Sequence, residues 1–181
     1  MSLLDVIRRL FTPAPTYRTV VQRPKLLFTS DCVMALAAGL TPSLNRRHEG
    51  IAYLLGRTDG TVTLATTVFV PTAQTTRGSF FVEPRSMAAC MQAAASHELQ
   101  IVAQVHTHPG QAYHSDGDVE GAKIRYAGYA SVVLPDYGTH LPRFDGAAAY
   151  FWTSSGEWNE LTPEDLVIIS GAGPWTKSDG T

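Results

Sequence analysis

The residue types best suited to chemistry in this chain lie in one short run, which begins at His106 and ends at Asp118. The run reads His-Thr-His-Pro-Gly-Gln-Ala-Tyr-His-Ser-Asp-Gly-Asp and follows an apolar stretch, residues 101–105, that predicts a buried strand. Alternate residues of a strand face the same side, so His106 and His108 point together while Thr107 points into the fold. Catalytic zinc sites use three protein ligands and leave a fourth position open. We therefore predict a zinc ion bound by His106, His108 and Asp118.

The chain returns from this strand through a loop that contains Pro and Gly. Asp118 begins, or lies in the first turn of, a predicted helix over residues 118–126. Ser115 lies on the same return, where its hydroxyl can face the open coordination position. His114 and Asp116 are alternative ligands, but neither follows a serine at the spacing that separates Asp118 from Ser115. We expect His114 to line the cleft and Asp116 to cap the helix.

The pattern His-x-His-Pro, a short loop and Ser-x-x-Asp resembles the signature of the JAMM (JAB1/MPN/Mov34, MPN-plus) metalloproteases, most closely their prokaryotic branch. That family also has an upstream Glu before an apolar strand ending in Gly, and residues 49–56, Glu-Gly-Ile-Ala-Tyr-Leu-Leu-Gly, are similar to it. The resemblance covers roughly residues 25–160. One departure is the loop of residues 109–114, which is one residue shorter than the family most often has and makes the placement of Ser115 less fixed than that of the histidines.

The resemblance implies a zinc-dependent peptidase or deubiquitinase-like isopeptidase that cleaves the amide after the C-terminal Gly of a ubiquitin-like protein, in a conjugate or a precursor. Glu49 would take a proton from the attacking water and deliver it to the leaving amine, and the Ser115 hydroxyl would stabilise the oxyanion. E1-like and E2-like enzymes of the same pathway are possible partners. Two alternatives stay open: a non-catalytic MPN-like scaffold, against which the complete residue set argues, and a small-amide hydrolase on the same zinc site.

The rest of the chain is typical of one cytoplasmic domain. Its 181 residues can form a sizeable core, and a formal net charge of -2 argues against nucleic acid as a partner. Cys32 and Cys90 are predicted to be buried thiols inside helices and not a disulfide framework. Residues 1–15 predict a short amphipathic segment, too short and too charged for a membrane span or a signal peptide. The domain is then expected over residues 16–169, with a flexible tail over residues 170–181.

Within that domain, helices and strands alternate. Strands are predicted at residues 25–29, 50–57, 61–70, 101–106, 130–134, 147–153 and 157–161, and helices at residues 30–39, 85–97 and 118–126, with Ser30 and Pro84 at the first two helix starts. Residues 41–48 are expected to form a polar loop. The elements predict an α/β fold with three α/β/α layers and a mixed, mostly antiparallel sheet. The resemblance implies the same cytidine-deaminase-like JAMM/MPN fold.

Two loops could control which substrates reach the zinc. Residues 72–81 contain Phe80 and Phe81, and residues 136–146 contain Tyr137 and Phe144, among other polar and aromatic side chains. In the family that the chain resembles, segments at similar positions guide the tail of a ubiquitin-like substrate. The alternative, that both are ordinary surface loops, is equally compatible with their composition.

Overall fold

The computed structural model describes residues 23–171, which form a mixed α/β structure around one large sheet. The strands are β1 (Lys25–Thr29), β2 (Ile51–Thr58), β3 (Val62–Phe69), β4 (Ala73–Thr75), β5 (Phe80–Val82), β6 (Gln100–Thr107), β7 (Ala130–Leu134), β8 (Ala148–Trp152), β9 (Trp158–Leu161) and β10 (Leu166–Ile169). The helices are α1 (Ser30–Arg46), α2 (Pro84–Ser96) and α3 (Asp116–Gly121). The predictions for residues 1–15, and those for the tail beyond residue 171, lie outside this range. No helix within it is long and apolar enough to cross a membrane.

The large sheet has the strand order β10-β1-β3-β2-β6-β7-β8-β9, and β4 and β5 form a separate antiparallel pair. Three neighbouring pairs in the large sheet are parallel, namely β1 with β10, β1 with β3, and β6 with β7. The other four pairs, which join β2 to β3, β2 to β6, β7 to β8 and β8 to β9, are antiparallel. The predicted α/β class with a mixed sheet is confirmed.

The two long helices cover opposite faces of the sheet. Along β2, Leu54 contributes to a core with Leu36 of α1, whereas the adjacent residues Tyr53 and Leu55 contribute to a second core with Cys90 of α2. This division follows from strand geometry, because successive side chains point to opposite faces. Both cysteines are free and buried in helices, as predicted.

Helix α1 is longer than the sequence predicts. Its N-cap is Thr29, whose hydroxyl accepts from the Cys32 amide at 3.2 Å, and not Ser30. The helix continues through Gly39 and Pro42 to Arg46, so the predicted polar loop over residues 41–48 is mostly helical. Gly39 does not end the helix. It is the point at which α1 and Val70 approach closely, because a Cβ atom at this position would lie 2.5 Å from the Val70 side chain. Tertiary packing has overridden the local signal for a helix end.

Helix α3 is shorter than predicted, since it begins at Asp116 and ends at Gly121 instead of continuing to residue 126. Its N-cap is Ser115, so the prediction that Asp116 caps it was wrong by one residue. The sequence analysis also missed β4, β5 and β10, which have three or four residues each. Such short strands give too few alternations of apolar and polar residues to be recognised.

One irregularity in β6 affects the functional face of the sheet. Leu54 of β2 pairs with Ala103 while the next residue, Leu55, pairs with Ile101, so Val102 is an extra residue in β6. A bulge of this kind changes which face the following side chains occupy. Val102 and the next residue, Ala103, therefore both belong to the core under α1, whereas Ile101 belongs to the core under α2.

Candidate metal centre

Three side chains converge at the end of β6. His106 Nε2 lies 3.2 Å from His108 Nε2 and 3.0 Å from Asp118 Oδ1, and His108 Nε2 lies 3.5 Å from Asp118 Oδ2. Ligand atoms of all three lie within 4.8 Å of one another, which makes them a group able to hold a metal ion. Both histidine rings are buried, and their nitrogens and the carboxylate share one small volume. The structure thus brings together the three residues that the sequence analysis named as metal ligands.

Strand pairing fixes the two histidines relative to the start of β2. His106 pairs with Ile51 on one side and with Val133 on the other. Thr107, which lies between the histidines and is fully buried, accepts from the Gly50 amide through its hydroxyl at 2.8 Å and donates its own amide to the Gly50 carbonyl at 3.0 Å. This reciprocal pair holds the residue before β2 against the metal-binding end of β6.

The third side chain comes from α3. Ser115 and Asp118 form a capping box, in which the Asp118 amide donates to Ser115 Oγ at 3.2 Å and the Ser115 amide donates to Asp118 Oδ2 at 2.9 Å. The Ser115 hydroxyl also donates to Asp118 Oδ2 at 2.6 Å. The same cap that starts the helix therefore aims the carboxylate at the histidines.

Charge is concentrated at this point. Burial alone would raise the pKa of Asp118, but hydrogen bonds with His106, His108 and Ser115 hold that pKa far below its usual value. The pKa of His108 is raised, chiefly by its hydrogen bond to Asp118. A carboxylate that stays ionised beside two imidazoles is the electrostatic environment that a divalent cation requires.

Glu49 lies two residues before β2 and is 6% exposed. Its amide donates to the Thr76 carbonyl at 2.8 Å, and its side chain faces the same cleft as His108 and Asp118. Burial raises the pKa of Glu49 to about 7, the Asp118 charge adds to this effect, and His108 opposes it. A carboxyl group with such a pKa can take up and release a proton at neutral pH.

The cleft beside these groups has a volume of about 660 Å³. Its lining includes Glu49, His108, Ser115 and Asp118 and extends along β5, which contributes Phe80, Phe81 and Val82. The Phe80 ring lies 5.4 Å from the His106 ring, and Phe81 is exposed. The first of the two predicted loops therefore forms a wall of the cleft.

The second loop has a different position. Phe144 stacks on Phe28 with ring centroids 4.6 Å apart, packs half-buried against the core and does not line the cleft. Tyr137 is buried, and its hydroxyl donates to the Arg77 carbonyl at 3.0 Å. Tyr137 thus contacts the first loop through this hydrogen bond and does not line the cleft.

His114 does not occupy the place that the sequence analysis gave it. Its ring stacks on Tyr150 at 4.3 Å and meets the Trp158 ring edge-on at 5.1 Å, and it does not line the cleft. Its backbone amide donates to the Tyr150 hydroxyl at 3.2 Å. Burial lowers the pKa of His114 to about 4, which keeps the imidazole neutral. His114 anchors the loop that leads to Ser115 and does not belong to the group of three metal-ligand candidates.

Comparison with known proteins agrees with this site. Residues 43–142 match a family model described as prokaryotic homologs of the JAB domain. That range is more than half of the chain and includes Glu49, both histidines and Asp118. The chain belongs to the prokaryotic JAB-domain family. The family resemblance inferred from the sequence is confirmed.

Individual relatives of this JAB-domain protein extend the match. It is 32% identical over 143 residues to the probable metalloprotease y4jG of Sinorhizobium fredii (strain NBRC 101917 / NGR234). The alignment covers 72% of this chain and 83% of the relative. It is also similar to the solution structure of protein DSY2949 from Desulfitobacterium hafniense, with a TM-score of 0.58, 17% identity and coverage of 82% of this chain and 94% of that chain. At that identity the likeness concerns the fold alone.

The JAB domain also presents polar groups that the sequence analysis missed. The floor of the cleft includes Tyr53, Gln104 and Tyr129, of which Gln104 donates to the Ser131 hydroxyl at 3.2 Å. Gln104 could have been found, since it lies two positions before His106 and therefore on the same face of β6. The tyrosines could not, because apolar strand neighbours give no sign of an opening above them.

Proposed function

We propose that this protein is a zinc-dependent peptidase or isopeptidase that cleaves the amide after the C-terminal Gly of a ubiquitin-like protein. The observation that carries the proposal is the convergence of His106, His108 and Asp118 on one point beside the buried carboxyl group of Glu49. The relative from Sinorhizobium fredii is a probable metalloprotease, which supports the same chemistry.

Zinc fits the donor set. With zinc–nitrogen and zinc–oxygen distances of about 2.0–2.2 Å, neighbouring ligand atoms of a tetrahedral site lie about 3.3 Å apart. The separations of 3.2, 3.0 and 3.5 Å among the two Nε2 atoms and the carboxylate oxygens are close to that value. Two neutral imidazoles and one carboxylate are the mixture of nitrogen and oxygen ligands that catalytic zinc sites use. His106, His108 and Asp118 would hold the ion.

Proton transfer in this reaction is assigned to a residue of the chain. Bound zinc supplies a Lewis acid and lowers the pKa of a coordinated water toward neutrality. Glu49 accepts a proton from the attacking water and later delivers it to the leaving amine, for which a pKa of about 7 suits both directions of transfer.

Ser115 would stabilise the oxyanion that forms on the scissile carbonyl. Its hydroxyl has one proton, which is donated to Asp118 Oδ2 at 2.6 Å. When a cation draws the Asp118 charge toward itself, this acceptor becomes weaker and the hydroxyl can turn toward the developing oxyanion. The capping bond from the Asp118 amide to Ser115 Oγ does not use that proton, and it can remain in place.

The cleft suits an extended chain that ends in small residues. Among the described residues β5 pairs only with β4, so its other edge is open to a further strand along the cleft wall. A substrate tail can add to such an edge through backbone hydrogen bonds. Gly residues next to the scissile amide bring no side chain against the Phe80 ring or the buried histidines.

We further propose the three-layer α/β/α architecture of the JAMM fold, a cytoplasmic location, and E1-like and E2-like enzymes as pathway partners.

A designed substrate tests the proposal. A ubiquitin-like domain from the same organism is fused to a C-terminal extension, and cleavage is followed by mass spectrometry. We expect a cut after the terminal Gly, no cut when a bulky residue replaces that Gly, and no cut by Glu49→Ala that still contains zinc. Equal cleavage of both fusions, or efficient turnover of unrelated short peptides, would indicate a general peptidase and reject the ubiquitin-like substrate.

A further inference from the structure

Helix α3 carries the third metal-ligand candidate, but none of its own residues is buried. Its six residues, Asp116–Gly121, are fewer than an isolated helix needs to be stable in water. The Ser115 cap completes the hydrogen bonds of the first turn, but it joins the turn only to itself. Contacts outside α3 are therefore needed to keep Asp118 Oδ1 at 3.0 Å from His106 Nε2.

The segment before α3 is held by aromatic side chains of β8 and β9. The His114 ring lies nearly parallel to the Tyr150 ring at 4.3 Å, with 13° between their planes, and the Trp158 ring meets it edge-on at 5.1 Å. The His114 amide also donates to the Tyr150 hydroxyl at 3.2 Å. His114 Nε2 is buried and has no hydrogen-bond partner among residues 23–171. The ring therefore holds this segment by stacking and not through that nitrogen.

The segment after α3 is held on the same side of the molecule. Arg125 lies four residues beyond the end of α3, and its guanidinium lies 5.3 Å from the centroid of the Trp152 ring. A guanidinium in this position is attracted by the negative face of the indole. Arg125 Nη2 also donates to the Val119 carbonyl inside α3. Arg125 therefore joins the body of the helix to β8.

The contacts on the two sides of α3 meet in one aromatic cluster, which consists of Tyr150, Trp152 and Trp158. Trp152 and Trp158 are direct partners in the pairing of β8 with β9, and their rings meet edge-on at 5.0 Å. Tyr150 lies two residues before Trp152 on β8 and thus on the same face of the strand. The chain from His114 to Arg125, which includes all of α3, is therefore attached at both ends to neighbouring side chains of one hairpin.

We propose that His114 and Arg125 are positioning residues for Asp118, and that through them the aromatic cluster sets the zinc affinity of the site. This proposal rests on the proposed function, because it takes Asp118 as a zinc ligand. The two histidines are fixed by β6, so the affinity depends on the fraction of metal-free protein that has α3 in place. The apparent dissociation constant is inversely proportional to that fraction.

The first test measures the zinc affinity of the full chain by competition with a chromophoric chelator. Arg125→Ala should weaken zinc binding by about 5-fold, because the contact with Trp152 and the hydrogen bond to α3 are lost together. Arg125→Lys keeps the charge without the planar guanidinium and should recover only part of the affinity. Arg143→Ala is the matched control, because Arg143 pairs with Asp145 in another loop and should leave the affinity unchanged.

The second test concerns the shape of the His114 side chain. His114→Ala should weaken zinc binding by a factor similar to that of Arg125→Ala, because stacking on Tyr150 is lost. His114→Phe should retain most of the affinity, since a flat ring can still stack there and the unpartnered nitrogen is not required. Equal losses in His114→Phe and His114→Ala would contradict a role based on stacking.

A double-mutant cycle separates positioning of Asp118 from a general loss of structure. Asp118→Ala should bind zinc more weakly, through His106 and His108, and adding Arg125→Ala or His114→Ala should then cause no further loss. The same 5-fold loss in the Asp118→Ala background would show that these residues act on the fold as a whole, and it would reject the proposal. Zinc binding by the wild type with unchanged affinity in both single variants would reject the proposal and keep the zinc site. Absence of zinc binding by the wild type would overturn the proposed function as well.

Discussion

Replacement of Glu49 by Gln should stabilise the metal-free protein at alkaline pH. Burial raises the pKa of this carboxyl group from 4.5 to about 7, so the folded protein resists its ionisation. The unfolded chain has no such resistance, and the difference corresponds to at most about 3 kcal/mol of unfolding free energy. Gln has nearly the same shape and no charge, so Glu49→Gln removes this cost.

The sign of the effect depends on pH. Well below pH 4.5, Glu49 is protonated in the folded and the unfolded state, and the wild type and Glu49→Gln should be equally stable. Between about pH 4.5 and 7 the unfolded wild type ionises Glu49 while the folded protein keeps it protonated, so the wild type loses stability relative to the variant over this range. The advantage of Glu49→Gln should reach its full value at about pH 8.

Urea unfolding between pH 4.5 and 8, with a metal chelator present throughout, measures this difference. Glu160→Gln, an exposed carboxylate of β9, is the matched control and should change stability little. Zinc-loaded protein should show a smaller advantage for Glu49→Gln, because a nearby cation stabilises the ionised carboxylate. A difference that does not vary with pH, or a less stable Glu49→Gln protein at pH 8, would refute the reasoning.

Three further predictions concern the metal, the oxyanion and the strand contact. Purified protein should contain about one zinc per chain, chelation should abolish hydrolysis and added zinc should restore it, whereas His106→Ala should bind no zinc by elemental analysis. Ser115→Ala should retain zinc and lower kcat by roughly 10²–10³, and an unchanged kcat would mean that this hydroxyl does not serve the oxyanion. Thr107→Val should lower the free energy of unfolding by about 1–3 kcal/mol in urea denaturation, because the buried Gly50 amide loses its partner, and Thr107→Ser should retain most of that stability.

The parts of the site that depend on local periodicity could be predicted from the sequence. The two-residue repeat of a strand is enough to place His106 and His108 on one face, and the short return to Asp118 is enough to bring a carboxylate to them. The raised pKa of Glu49 could not be predicted, because it depends on burial by residues that are distant in sequence. The same applies to Phe144, since an aromatic residue in a loop can contact a substrate or, as here, stack on Phe28 in the core.

Helix lengths were predicted least well, and for opposite reasons. At Gly39 the sequence carries a signal for a helix end, but α1 continues to Arg46, and the glycine instead leaves room for the Val70 side chain. After Asp118 the sequence analysis extended the helix to residue 126, whereas α3 ends at Gly121, where the sequence does carry a glycine stop signal.

The capping box at α3 has a kinetic consequence. His106 and His108 belong to a central strand with partners on both sides, so they move only when the sheet itself unfolds. Asp118 lies on a six-residue helix without a buried residue, which depends on its Ser115 cap. A bound ion can therefore escape by local opening of this one turn. Its rate of exchange follows the fraying of α3 and is independent of how slowly the whole domain unfolds.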